Sequence, residues 1–163
     1  MIRVSKRRRT EGKTDYLKRK KLLKSGAPRV VFRKTNKYIL AQYVISVAAQ
    51  DKVEISLTSK SLLKYGWPKE AENSLKSIPA AYLTGYLMGK TILKDKKKTP
   101  ILDFGMYITL HKTKIYGFLK GLIDSGVNIK ISAEKEIFPS EERIKGEQLK
   151  TKIDLDKIKA NIK

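Results

Sequence analysis

The chain has 163 residues, 37 Lys and Arg against 16 Asp and Glu, a formal charge of +21 and no cysteine. That length suits one domain with charged extensions, and 40% hydrophobic residues can build a core, which excludes a wholly disordered chain. The missing cysteines exclude a disulfide framework and a thiolate metal site. No apolar run follows the basic N-terminus as a signal peptide requires, and the longest uncharged runs, 38–50 and 77–89, are 13 residues each, short of the ~20 that span a bilayer.

The first 37 residues hold 15 of the Lys and Arg but only Glu11 and Asp15. Like charges at that density oppose compaction, so a partner with closely spaced negative charge is implied, as in a nucleic-acid backbone. Residues 1–14 have almost no apolar periodicity and read as an arm that orders on its partner. Asp15 is then a helix cap, and Tyr16, Leu17, Leu22 and Leu23 give a short helix its apolar side. Lys20, Lys21 and Lys24 suit its C-terminal end, and Gly26 with Pro28 stops it. Tyr16 sits between two basic runs, where a base or ribose can stack on it; anchoring the small helix is an equal alternative.

Strands are expected at 29–34, 38–47 and 53–58, joined by turns at Thr35-Asn36-Lys37 and Gln50-Asp51-Lys52. Three consecutive strands make an antiparallel meander. A helical piece is expected near 61–65, with a break at Gly66-Trp67-Pro68. Tyr65 and Trp67 there either cover one end of the core or meet a partner. A long helix is expected over 77–94, with Pro79 in its first turn. Ala81, Gly85 and Gly89 recur every four residues and predict a smooth groove lying close to a sheet, while Tyr82 and Tyr86 read as core by helical spacing. A short strand at 101–104, a second helix at 114–125 and a last strand at 129–131 complete the pattern. Strand–helix–strand order implies parallel pairing added to the meander. The expected fold is α/β, with the three-stranded meander extended by parallel strands into a mixed sheet covered by helices. Its parts are a basic arm and short helix (1–27), a core domain (28–131) and a charged C-terminal extension (132–163) that packs on neighbours. In the extension, Ser140 caps a helix and Ile153, Leu155, Ile158 and Ile162 mark an amphipathic turn or two.

Catalytic features are weak. Gly12-Lys13-Thr14 and Gly89-Lys90-Thr91 end like phosphate-binding loops, but Arg7 and Thr84 stand where the required earlier glycine belongs, and no strand precedes either. His111 has no acidic partner close in sequence to orient it as a base. Asp103 lies at a strand end, where α/β proteins place functional groups; turn stabilisation explains it better. The pairs Glu134/Glu136 and Glu141/Glu142 are too exposed for a useful pKa shift. The expectation is no catalysis, no cofactor, no metal and no small-molecule substrate.

Linked motifs carry a more specific signal. RRR-x-EGKTDY (7–16), KRKKLL (18–23), RVVFRKTNKYILAQ (29–42), KYGWP (64–68), AAYLTGYLMGK (80–90), LDFGMY (102–107), GLIDSGVNI (121–129) and FPSEERIKGE (138–147) occur in order. Together they resemble the large-subunit ribosomal protein family that binds 5S rRNA, in its archaeal and eukaryotic branch. The resemblance implies a cytoplasmic protein of the large subunit that binds 5S rRNA, large-subunit rRNA and the neighbouring ribosomal protein of the 5S particle. It also implies that EGKTDY and RKTNK turn toward 5S rRNA. The candidate RNA-binding residues are Arg7, Arg8, Arg9, Lys13, Thr14, Tyr16, Lys18, Arg19, Lys20 and Lys21, continued along the first hairpin by Arg29, Arg33, Asn36 and Lys37. The rival readings are a ribosome-assembly factor that grips RNA transiently, and an RNA-modifying enzyme fed by a basic arm.

Overall fold

A computed structural model of the chain describes residues 4–129, 137–149, 151 and 153–162. Four strands form one open mixed sheet in the order β3-β2-β1-β4: β1 Arg29–Lys34, β2 Ile39–Val47, β3 Gln50–Thr58 and β4 Ile101–Asp103. The first three are antiparallel, and β4 pairs parallel with β1 through Val30↔Leu102. The meander and the parallel addition are therefore as expected. Ile129 is in no strand, and the rest of the strand expected at 129–131 lies outside the described residues.

One finding departs from the turn chemistry of the sequence. The second hairpin does not turn at Gln50-Asp51-Lys52, which instead open β3. It turns at Ala48 and Ala49, both at positive φ (47° and 66°), with Val47 paired to Gln50. A two-residue turn of this hand matches the strand twist, and here alanines adopt it although Asn-Gly suits it better. Pairing along β2 and β3 overrides local preference.

Helices α1 (Arg7–Thr10), α2 (Tyr16–Lys24), α3 (Ile78–Lys94), α4 (Lys114–Asp124), α5 (Glu141–Lys145) and α6 (Leu155–Asn161) complete the fold, with 3₁₀ segments at Ser59–Tyr65 and Lys69–Ser74. Ser77 caps α3 by accepting from the Ala80 N–H, with Pro79 inside the first turn. Two cores result. In the first, Val30, Phe32, Ile39, Ala41, Tyr43 and Ile55 from one sheet face meet Ala81, Met88 and Ile92 of α3 and Ile115, Phe118 and Leu122 of α4. In the second, Tyr82, Leu83 and Leu87 on another side of α3 meet Leu62, Trp67 and Leu75.

The glycine groove of α3 faces helix α4 rather than the sheet. A Cβ on Gly85 would run into the Phe118 carbonyl, and one on Gly121 into the Tyr82 carbonyl. Each helix thus lowers a glycine into the backbone of the other, an approach closed to any side chain. Sequence spacing reveals such a groove but not which surface fills it.

The C-terminal extension also departs from expectation. Ile144, Ile153, Leu155, Ile158 and Ile162 are buried in the second core of their own chain. Lys159 lies 4.9 Å above the Tyr82 ring, and Asn161 donates to the Tyr65 carbonyl at 2.9 Å. Trp67 is buried with its indole N–H on the Ala71 carbonyl, which resolves the two readings of KYGWP in favour of the core.

Candidate nucleic-acid interface

The sheet face turned away from α3 and α4 carries Arg29, Val31 and Arg33 of β1 beside Val44, Gln42 and Leu40 of β2. Helix α2 is tied to this side. Asp15 caps it by accepting from the Leu17 and Lys18 N–H groups at 2.9 and 3.1 Å. Lys18 then donates to the Gly105 carbonyl at 3.0 Å, and Arg19 to Asp51 at 2.9 Å.

Beneath α2 runs a chain of charges. Arg29 is only 2% exposed, and its guanidinium donates to Asp103 at 2.9 Å, Asp51 at 2.7 Å and Ser46 at 2.9 Å. Asp103 also accepts from Arg33 at 3.3 Å and from the Gly105 N–H at 2.8 Å. Burial pushes the Asp51 carboxyl up, but hydrogen bonds from Ser46, Arg19 and Arg29 and the Arg29 charge outweigh it, so its pKa lies below the ordinary value. The network converts three arginines and two aspartates into a joint between helix and sheet.

Two clefts gather the candidate residues. One of about 870 Å³ is lined by Lys6, Arg9, Arg19, Lys20 and Lys24 with Tyr16, Leu17 and Leu23. A smaller one of about 140 Å³ brings together Arg8, Lys13, Thr14, Lys18 and Arg33. Arg7, Arg8, Arg9, Lys13, Lys20 and Lys21 are exposed. Arg8 donates to the Thr14 hydroxyl at 2.9 Å, Lys13 pairs with Glu11 at 2.8 Å, and Lys6 lies 4.5 Å above the Tyr16 ring. The arm before α2 is not featureless, since α1 forms one turn within it, with no buried residue.

Arg29 is a correction. It is buried, with both terminal guanidinium nitrogens on Asp103, Asp51 and Ser46, and serves the joint rather than an open surface. Arg33 is half-buried and holds the Asp103 and Phe32 carbonyls at 2.9 and 2.8 Å, so most of its donors are committed. Asn36 and Lys37 are exposed at the hairpin tip and line neither cleft. Lys6 and Lys24 also line the larger cleft, beyond the candidate RNA-binding residues, and the charge density around them is the signal in the sequence that points to them. The two aspartates were the real omission: the turn reading of Asp103 holds through Gly105, but nothing local in sequence shows that it and Asp51 meet Arg29.

His111 is exposed and stands edge-on to Tyr116 at 5.7 Å. Gly89 of α3 packs against Ser125 at the C-terminal end of α4. No group of His, Asp and Glu among the described residues is placed to hold a metal, and no described helix is long and apolar enough to cross a membrane.

Fold and site together define a basic α/β protein whose cationic helix is braced on a mixed sheet. Residues 2–101 match the family of ribosomal large subunit proteins 60S L5 and 50S L18, and the chain belongs to that family. It is 45% identical over 147 residues to large ribosomal subunit protein uL18 of Korarchaeum cryptofilum, covering 90% of this chain and 72% of that protein. Against uL18 of Methanothrix thermoacetophila it is 39% identical over 154 residues, covering 94% and 88%. For uL18 of Methanoregula boonei the figures are 40% over 146 residues, 90% and 80%.

Proposed function

We propose that the chain is a structural constituent of the cytoplasmic large ribosomal subunit that binds 5S rRNA and helps dock it on large-subunit rRNA, beside the neighbouring protein of the 5S particle. Residues 1–27 form the grip. Its role is positional, not catalytic. The observation that carries this reading is the bracing of α2: Lys18 on Gly105 and Arg19 on Asp51 hold the helix in place while Lys20, Lys21 and Lys24 stay exposed. Lysines fixed in space recognise the shape of a folded RNA, whereas charges on the preceding arm add attraction to any RNA.

The two contributions separate in titrations of 5S rRNA and an unrelated structured RNA over a salt series. Deleting residues 1–14 removes six Lys and Arg, and the log–log salt slope should fall by several units, at roughly 0.7–0.9 per lost phosphate contact. Preference for 5S rRNA should survive. Replacing Lys20 and Lys21 with Ala should lower the slope less and erode the preference more. An unchanged slope in the truncated chain refutes the grip, and equal loss of preference in both variants refutes the division between arm and helix.

A further inference from the structure

The loop between β4 and α4 leaves two aliphatic side chains in water: Ile108 is 80% exposed and Leu110 63%. Slack chain does not explain this, because the loop is pinned at three points. The Tyr107 hydroxyl donates to the Lys34 carbonyl at 2.7 Å and accepts from the Lys34 N–H at 3.1 Å. The Lys112 N–H donates to the Ile137 carbonyl at 2.8 Å, and His111 stands against Tyr116. Ile108 and Leu110 line a groove of about 450 Å³ with Lys34, Lys112, Lys114 and Arg143, together with the apolar Phe32 and Ile115. Among the described residues no carboxylate lines it. Burial depresses the Lys114 pKa, and the like charges of Lys34 and Lys76 lower it further. An apolar surface ringed by cations with no carboxylate among the described lining residues is matched by one kind of occupant.

We propose that this groove docks a protein segment carrying aliphatic side chains next to carboxylates. RNA phosphates would answer the cations and bases would find Tyr107, His111 and Arg143 to stack on, but Ile108 and Leu110, the most exposed apolar groups of the groove, would stay unmatched, because bases do not stack on branched aliphatic tips. A protein segment meets both demands, its apolar side chains burying the anchors and its carboxylates neutralising the ring. The surface is separate from the α2 clefts, and the inference stands whether or not 5S rRNA is the RNA bound there.

The test is a photo-crosslinking side chain at position 108 of the full chain, reconstituted into large subunits that are then salt-washed and irradiated. The expected product is a crosslink to a ribosomal-protein segment with apolar and acidic side chains within about ten residues, the length of one docked strand or three helical turns. A crosslink to rRNA, a crosslink within the chain to residues 130–136, or none at all overturns the proposal. A second variant, Ile108→Ser with Leu110→Ser, changes only exposed side chains and should unfold with the parent. It should bind 5S rRNA with the parent's affinity and salt slope, while its occupancy in salt-washed subunits falls roughly tenfold, as loss of a central apolar anchor implies. Parental occupancy overturns the proposal, and so does a matching loss of RNA affinity, which would make the surface an RNA contact.

Discussion

Replacing Arg29 with Met tests whether the buried arginine is a joint or a ligand for RNA. Met keeps an unbranched apolar stem in β1 but removes the guanidinium that meets Asp103, Asp51 and Ser46. Asp51 is about one-third exposed and keeps Arg19 and Ser46, so it rehydrates at small cost. Asp103 is the group left stranded, its side chain 9% exposed and holding only the Gly105 N–H at 2.8 Å and Arg33 at 3.3 Å. Breaking a buried pair outright costs about 3–5 kcal/mol. The two remaining partners reduce that to about 2–3 kcal/mol, since each still supplies part of a charge-assisted hydrogen bond. With a urea m-value of roughly 2 kcal/mol/M, the unfolding midpoint should fall by about 1–1.5 M. Adding Asp103→Asn should recover about 1 kcal/mol or more of the loss, because the second charge no longer needs a partner. The salt slope for 5S rRNA should not move in the single variant. A midpoint shift below about 0.3 M, or a slope lowered by the roughly 0.7–0.9 of one phosphate contact, would refute the joint.

Three further perturbations probe other parts of the fold. Gly121→Ala drives a methyl into the Tyr82 carbonyl and should cost about 1–3 kcal/mol or more by forcing α3 and α4 apart; an unchanged melting temperature would mean the helices slide freely. Ala48→Asn with Ala49→Gly suits a turn whose φ values are 47° and 66°, and should add about 1 kcal/mol, a rise of roughly 2–4 °C for a chain this size; a lower melting temperature would count against that geometry. Because the Asp51 pKa is lower folded than unfolded, its contribution is present above the unfolded value and is lost as pH falls through the folded one. Acid titration of stability from about pH 6 to 2 should therefore fall less steeply in Asp51→Asn than in the parent, and parallel curves would contradict the pairing.

Where information was local, the sequence was enough. The Asp15 cap, the strand-forming runs of β1 to β3 and the period of α3 each depend on residues within one or two turns of chain, and each element lies within a few residues of its expected place. The cationic arm was legible for a similar reason: charge density is a sum, needing no partner identified. What only tertiary structure decided are the long-range pairings. Arg29 reads in sequence like any cation beside a basic run, and becomes structural because β4 delivers Asp103 and the β2–β3 hairpin delivers Asp51 to one point. The α3 glycines announce a close approach, but whether a sheet or a helix fills the groove depends on where α4 crosses, at Phe118, 33 residues beyond Gly85. The isoleucines and leucine of the C-terminal segment show an apolar stripe, and only the fold shows that their own chain covers it. A stripe, a groove or a lone charge states what a residue needs, and the partner that supplies it comes from a distant part of the chain brought close by folding.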